Sequence, residues 1–126
     1  MKALLIVVLV ALLIYLAVSV YGAYKIMKIP RLLLEQSPGS FGLVYEDVIF
    51  PARYDGVALK GWYIPGGDPV IIVVNGGEHP RIEVKVGTLE MTRDLVKHGF
   101  SVLLFDQRGR GESEGEALLA VHAKQD

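Results

Sequence analysis

The sequence predicts an α/β protein: an N-terminal helix fit to span a membrane, then an edge hairpin and one strand–helix–strand unit. Three observations predict it. Ala3 to Tyr24 carries no charged side chain. Two runs rich in β-branched and aromatic residues, Leu43 to Phe50 and Val57 to Ile64, flank a turn ending in Asp55-Gly56. Two continuous apolar runs, Val70 to Val74 and Val102 to Phe105, enclose a segment of near-helical spacing.

The apolar N-terminal run comes first. As a helix, at about 1.5 Å rise per residue, it reaches roughly 33 Å, enough to cross a hydrocarbon core. Tyr15, Tyr21 and Tyr24 lie in its C-terminal half, where interfacial aromatics sit. A cleavable signal peptide is the competing reading, with Ala17-Val18-Ser19 as a small-residue cleavage site. Against it, the apolar run is long for a signal and no polar region precedes the cut. A buried helix of a soluble domain is the third reading. Lys2 stands alone before the span, whereas Lys25, Lys28 and Arg31 come after it. Positive charge stays cytoplasmic, so the expectation is a single-pass anchor, residues 3–24 in the bilayer, with the globular part on the cytoplasmic side.

Ile29 to Gly42 holds two prolines and two glycines without sustained periodicity. It reads as a juxtamembrane linker, with at most one short turn around Leu32 to Leu34. The hairpin is next and belongs at a sheet edge. Pro65-Gly66-Gly67-Asp68-Pro69 then breaks the chain. Val70 to Val74 and Val102 to Phe105 read as strands buried on both faces, as in a parallel sheet covered by helices. Between them, Glu83 to His98 places Val86, Leu89, Leu95 and Val96 near helical spacing, and Gly99 suits a helix C-terminus. Glu116 to Asp126 reads as the start of another helix. The expected division is an anchor at 1–25, a linker at 26–42 and a globular portion at 43–126. Roughly 80 structured residues make a marginal α/β core, so the globular part looks like the opening of a larger domain.

Composition excludes several classes. Thirteen Lys+Arg against 14 Asp+Glu leave a net charge of −1 and no basic patch, so no nucleic-acid partner is expected. The absence of cysteine removes disulfides, thiolate catalysis and Cys-based zinc sites. His79, His98 and His122 have no zinc-ligand spacing and take ordinary surface roles, so no metal and no cofactor is expected. Trp62 reads as hairpin packing.

Gly111-Glu112-Ser113-Glu114-Gly115 matches G-x-S-x-G, the turn that presents a nucleophilic serine in many hydrolases. The surroundings oppose that role. The strand ends near Asp106, and a polar, glycine-rich loop intervenes before Glu112, which removes the tight strand-to-helix geometry. Glu112 and Glu114 would place carboxylates where an oxyanion needs donors. Only His122 and Asp126 come later, and they cannot readily reach Ser113. Ser113-Glu114-Gly115-Glu116 instead fits a capping box, in which Ser113 accepts from a helix-start N–H and Glu116 reaches back. A dinucleotide-phosphate cradle at Gly109, Gly111 and Gly115 has the wrong spacing and two repelling glutamates.

Three stretches, taken in order, resemble the N-terminal part of an α/β-hydrolase: "YEDVIFPARYDGVALKGWYIPG", "PVIIVVNGGEHPR" and "LVKHGFSVLLFDQRGRGESEGE". More narrowly the chain resembles the membrane-anchored bacterial serine hydrolases of the serine-aminopeptidase-like branch. Asp106, Arg108, Gly109, Gly111 and Ser113 match the family's Asp-x-Arg-Gly-x-Gly-x-Ser run, which is a structural loop there. The resemblance implies a partial α/β-hydrolase fold, truncated before the nucleophile elbow, since the family's nucleophile, acid and histidine lie later. It also implies that the backbone N–H of Gly77 is half of an oxyanion hole. Asn75 stands where the family has histidine, and a plain glycine turn at a strand end is the alternative for Gly76-Gly77.

The resulting expectation is a membrane-anchored hydrolase-like chain, inactive by itself. Its parent would hydrolyse an ester, thioester or amide bond in a small molecule or peptide through serine catalysis. The alternative is a small membrane-tethered interaction protein without chemistry, and a dinucleotide-binding module ranks third.

Overall fold

The computed structural model describes residues 1–117. Most of the helix expected at Glu116 to Asp126, with His122 and Asp126, lies outside the described residues. The elements are helix α1 (Lys2–Met27), strands β1 (Glu46–Pro51), β2 (Ala58–Ile64) and β3 (Val70–Val73), helix α2 (Thr88–Lys97) and strand β4 (Ser101–Phe105). They form a four-stranded sheet in the order β1-β2-β4-β3. β1 pairs antiparallel with β2, and β2 pairs antiparallel with β4. β3 and β4 are parallel, joined through α2. The hairpin and the strand–helix–strand unit are thus one sheet, with β4 inserted between the hairpin and β3.

No residue of α1 is buried against the rest of the described chain. The helix is long and apolar enough to cross a membrane. The segment after α1 is held in place. Ile29 is buried, and its N–H donates to the Ala117 carbonyl at 3.2 Å. The short turn of this segment falls at Pro38–Phe41 rather than at Leu32 to Leu34, because proline presets the first turn and Gly42, at φ 71°, closes it.

α2 is shorter than its hydrophobic pattern. The expected start at Glu83 is instead a single 3-10 turn, Val84–Val86, ended by Gly87 in the left-handed region at φ 69°. Val86 therefore lies outside the helix and is exposed. Thr88 Oγ1 accepts from the Glu83 N–H at 3.0 Å and stabilises the entry. Leu89 and Thr92 face inward, and Gly99 at φ 86° terminates the helix as expected.

The core is one cluster: Trp62, Ile64, Ile82, Leu89, Val102 and Leu104, with Leu34, Phe41 and Tyr45 packed against it. Each large apolar side chain so buried contributes roughly 1.5–3 kcal/mol relative to exposure. β4 is largely buried on both faces, as its continuous apolar run predicts. β3 is not: Val70, Ile72 and Val74 are exposed, because nothing among the described residues covers that face. Trp62 serves hairpin packing, edge-on to Tyr45 at 5.6 Å between ring centroids, and its Nε1–H donates to Asp47 at 3.0 Å.

Gly61 sits where β2 crosses beside β4. A Cβ there would lie 2.5 Å from the Leu104 carbonyl oxygen and 2.9 Å from the Phe105 Cβ. Gly61→Ala is expected to lower stability by roughly 1–3 kcal/mol through overpacking, read as a shifted urea midpoint in detergent micelles.

Candidate functional site

Because β3 and β4 are parallel, their C-terminal ends lie side by side. The loops that leave them, Asn75 to Arg81 and Asp106 to Ser113, share one edge of the sheet. In α/β sheets this edge is where ligands bind.

The two loops are tied by one buried ion pair. Asp106 is fully buried and Arg81 is 1% exposed. Arg81 donates to Asp106 Oδ2 from Nε at 3.1 Å and from Nη2 at 2.7 Å. Its backbone N–H donates to Oδ1 at 2.5 Å, and the Glu112 N–H donates to Oδ2 at 2.9 Å. The carboxylate therefore accepts four N–H donors, which is what a buried charge requires. Arg81 Nη2 also reaches Glu112 Oε2 at 2.7 Å, and its guanidinium lies 4.4 Å over the Trp62 ring. Gly111 must be glycine here, since a Cβ would come within 2.3 Å of Asp106 Oδ2 and φ is 46°.

Ser113 is buried and committed elsewhere. Its hydroxyl donates to the Asp106 carbonyl at 2.6 Å and accepts from the Lys60 N–H at 2.8 Å. The capping box is thus a correction: the serine satisfies a donor of β2, fifty-three residues away in sequence, not one of a helix start. Glu116 does not reach back, but pairs with Lys28 at 3.2 Å. A hydroxyl held between a carbonyl and an N–H in the interior is not poised for attack.

Arg108 makes a bidentate pair with Asp55 at 2.6 and 2.7 Å, joining the loop to the β1–β2 turn. Gly109, at φ 67°, passes so close to the chain that a Cβ would meet the Ala117 nitrogen at 2.4 Å. On the other flank Arg31 donates to the carbonyls of Gly111, Ser113 and Gly115 at 2.9, 2.5 and 3.0 Å. Arg31, Asp55 and Arg81 are not marked by the sequence as site residues. One signal was available for Arg81: an aspartate at the end of a buried strand needs a cationic or N–H partner.

Gly76 and Gly77 form a turn at the end of β3, closed by the His79 N–H to the Gly76 carbonyl at 3.4 Å, with Gly77 at φ 64°. Both glycines are exposed. Asn75 Nδ2 spans the loop and donates to the Pro80 carbonyl at 2.8 Å. His79 lies 3.4 Å from Glu83. Among the described residues no group of three or more His, Asp or Glu side chains is placed to hold a metal.

No protein-family model matches the chain. It is 32% identical to the Pyrococcus furiosus esterase Pf2001, with a TM-score of 0.61 over 68% of this chain and 32% of that one. Another crystal form of the same esterase gives a TM-score of 0.63 over 71% of this chain and 34% of that one, at 31% identity. A polyketide transferase, grgF, from a Penicillium species is 32% identical over 73 residues, 56% of this chain and 24% of that protein. An uncharacterised Mycobacterium tuberculosis protein is 38% identical over 85 residues, 62% of this chain and 28% of that protein. The chain thus spans about a quarter of the curated relatives' length. Sequence and fold likeness together support a place in the α/β-hydrolase superfamily.

Two substitutions test the site. Asp106→Asn leaves Arg81 buried beside a neutral partner and is expected to cost roughly 3–5 kcal/mol, enough to abolish a cooperative unfolding transition measured by circular dichroism. The hydrogen bond from Arg108 holds the Asp55 carboxyl at about 2, below its ordinary 3.8. A folded value below the unfolded one stabilises above about pH 4 and is lost as pH falls through 2. Asp55→Asn is therefore expected to flatten the dependence of the unfolding midpoint on pH between 4 and 2.

Proposed function

We propose that this chain is the membrane-anchored N-terminal part of a serine hydrolase, in the serine-aminopeptidase-like branch, whose complete form cleaves an ester, thioester or amide bond. The observation that carries the reading is the pairing of two loops at the C-terminal ends of parallel strands. The loop that carries the Gly76-Gly77 turn is tied at Arg81 to the Asp106 loop by the Arg81–Asp106 ion pair. The likeness to an esterase over 68% of the chain supports it.

In this reading a serine on a later strand attacks the substrate carbonyl, a histidine takes its proton, and an acid orients that histidine. Negative charge collects on the carbonyl oxygen of the tetrahedral intermediate. The Gly77 N–H is one of the donors that stabilises it, and a backbone donor survives the presence of Asn75 beside it. Asp106, Arg108, Gly109, Gly111 and Ser113 keep the loop's shape and touch no substrate. In this reading α1 is the anchor, and the cluster of Lys25, Lys28 and Arg31 favours a globular part on the cytoplasmic side.

One observation favours a second reading, a membrane-tethered interaction protein without chemistry. The outer face of β3 presents Val70, Ile72 and Val74, and such a face associates readily. Sequencing the coding locus past codon 126 separates the two. A strand running into G-x-S-x-G, with later Asp and His, supports the hydrolase; its absence from the locus supports the binding protein.

The chain of 126 residues is expected to turn over activated esters no faster than background, and a fluorophosphonate probe should leave Ser113 unlabelled. Labelling lost in Ser113→Ala would overturn the assignment of Ser113 to structure.

A further inference from the structure

We infer that a groove running from the end of α1 past Gly77 takes a single acyl chain of a membrane amphiphile, so that substrate reaches the site from the bilayer surface. The inference rests on the hydrolase reading above and names the substrate class for the same site.

Two clefts meet at His79. The smaller, ≈ 340 Å³, is walled by Ile26, Ile29 and Pro30 on one side and by Gly77 and Glu78 on the other. The larger, ≈ 690 Å³, continues between the extended Leu32 to Leu34 segment and a wall of Pro80, Ile82 and Val84. Each is within the size range of small-molecule sites, and the larger is predominantly apolar, as an acyl chain requires.

Position selects a membrane amphiphile over a soluble ligand. Ile26 belongs to the last turn of α1, so the groove opens where the apolar helix ends. None of α1 is buried by the described chain, and a helix of that composition calls for a lipid environment. The groove mouth then lies in the headgroup layer. Its apolar rim continues the helix surface, with Ile26 80% and Leu33 82% exposed. Lys28, Arg31 and Lys85 line it together with Glu35, Glu78 and Glu83, a mixed-charge lining that suits a zwitterionic headgroup. A lipid-derived ester, thioester or amide entering here has its carbonyl near the Gly77 turn and its chain along Leu33, Ile82 and Val84. The three carbonyls bound by Arg31 keep the Leu32 to Leu34 wall in register with the site loop.

The test uses the whole chain in phosphatidylcholine vesicles doped with a lysophosphatidylcholine that bears a diazirine near its chain end. After irradiation, labelled residues are mapped by mass spectrometry. Labels are expected on 32–34 and 82–84 as well as on α1. Leu33→Glu and Val84→Glu, at exposed positions the fold tolerates, should each cut groove labelling relative to α1 labelling about ten-fold. Label confined to α1, or groove label unchanged in both variants, overturns the inference while leaving the anchor intact. Absence of label from α1 overturns it together with the anchor. Groove labelling abolished in a longer chain carrying the nucleophile assigns the groove to a protein segment and also overturns it. The hydrolase reading fails separately, at the coding locus.

Discussion

The rest of the structure hangs on the carboxylate of Asp106. It is fully buried at the end of β4, where a charge is tolerable only if its oxygens are occupied. Four N–H donors occupy them, three from Arg81 and one from Glu112. The arginine is buried too, compensated by Asp106 and by Glu112 and covered by the face of Trp62. Such a pair is weak evidence for net stability, because desolvation opposes attraction. Its effect is positional: it brings the loop after β3 to a fixed place beside the loop after β4. Gly111 is excluded from bearing a side chain by it.

The same loop reaches back to the segment that follows α1. Lys28 pairs with Glu116, Ile29 bonds to Ala117, and Arg31 gathers three loop carbonyls. Arg31 is suited to this because its planar guanidinium presents several donors in a rigid fork. Consequently the exit of α1 and the C-terminal ends of β3 and β4 form one connected region. Whatever covers α1 lies next to the candidate site, and this adjacency is a property of the tertiary contacts rather than of either segment.

Much of the fold was legible. The hairpin, both apolar strands and the helix between them fall close to where composition and spacing place them. Errors arose where a local rule met a competing one. Valine spacing extends the helix to Glu83, but Gly87 adopts a left-handed conformation and delays its start to Thr88. S-x-x-E reads as a capping box, yet Ser113 finds Lys60 and Asp106 instead. Continuous apolar character predicts two doubly covered strands, and only β4 has both faces covered among the described residues. The residues missed at the site, Arg31, Asp55 and Arg81, act through partners 25 to 84 positions away. No short-range pattern encodes such distances.

By itself the sequence determined the apolar length of α1, the alternation of strand and helix, and the unsuitability of the Ser113 surroundings for a nucleophile. These depend on hydrophobic period, glycine placement and local charge, all of which are properties of neighbouring residues. Only the tertiary structure decided that Asp106 is neutralised by Arg81, that Ser113 links β2 to β4, and that Gly77 faces the end of α1 across a groove. Those relations require chain segments to be brought together, and it is the cost of burying a charge or an unpaired N–H that decides which segments meet.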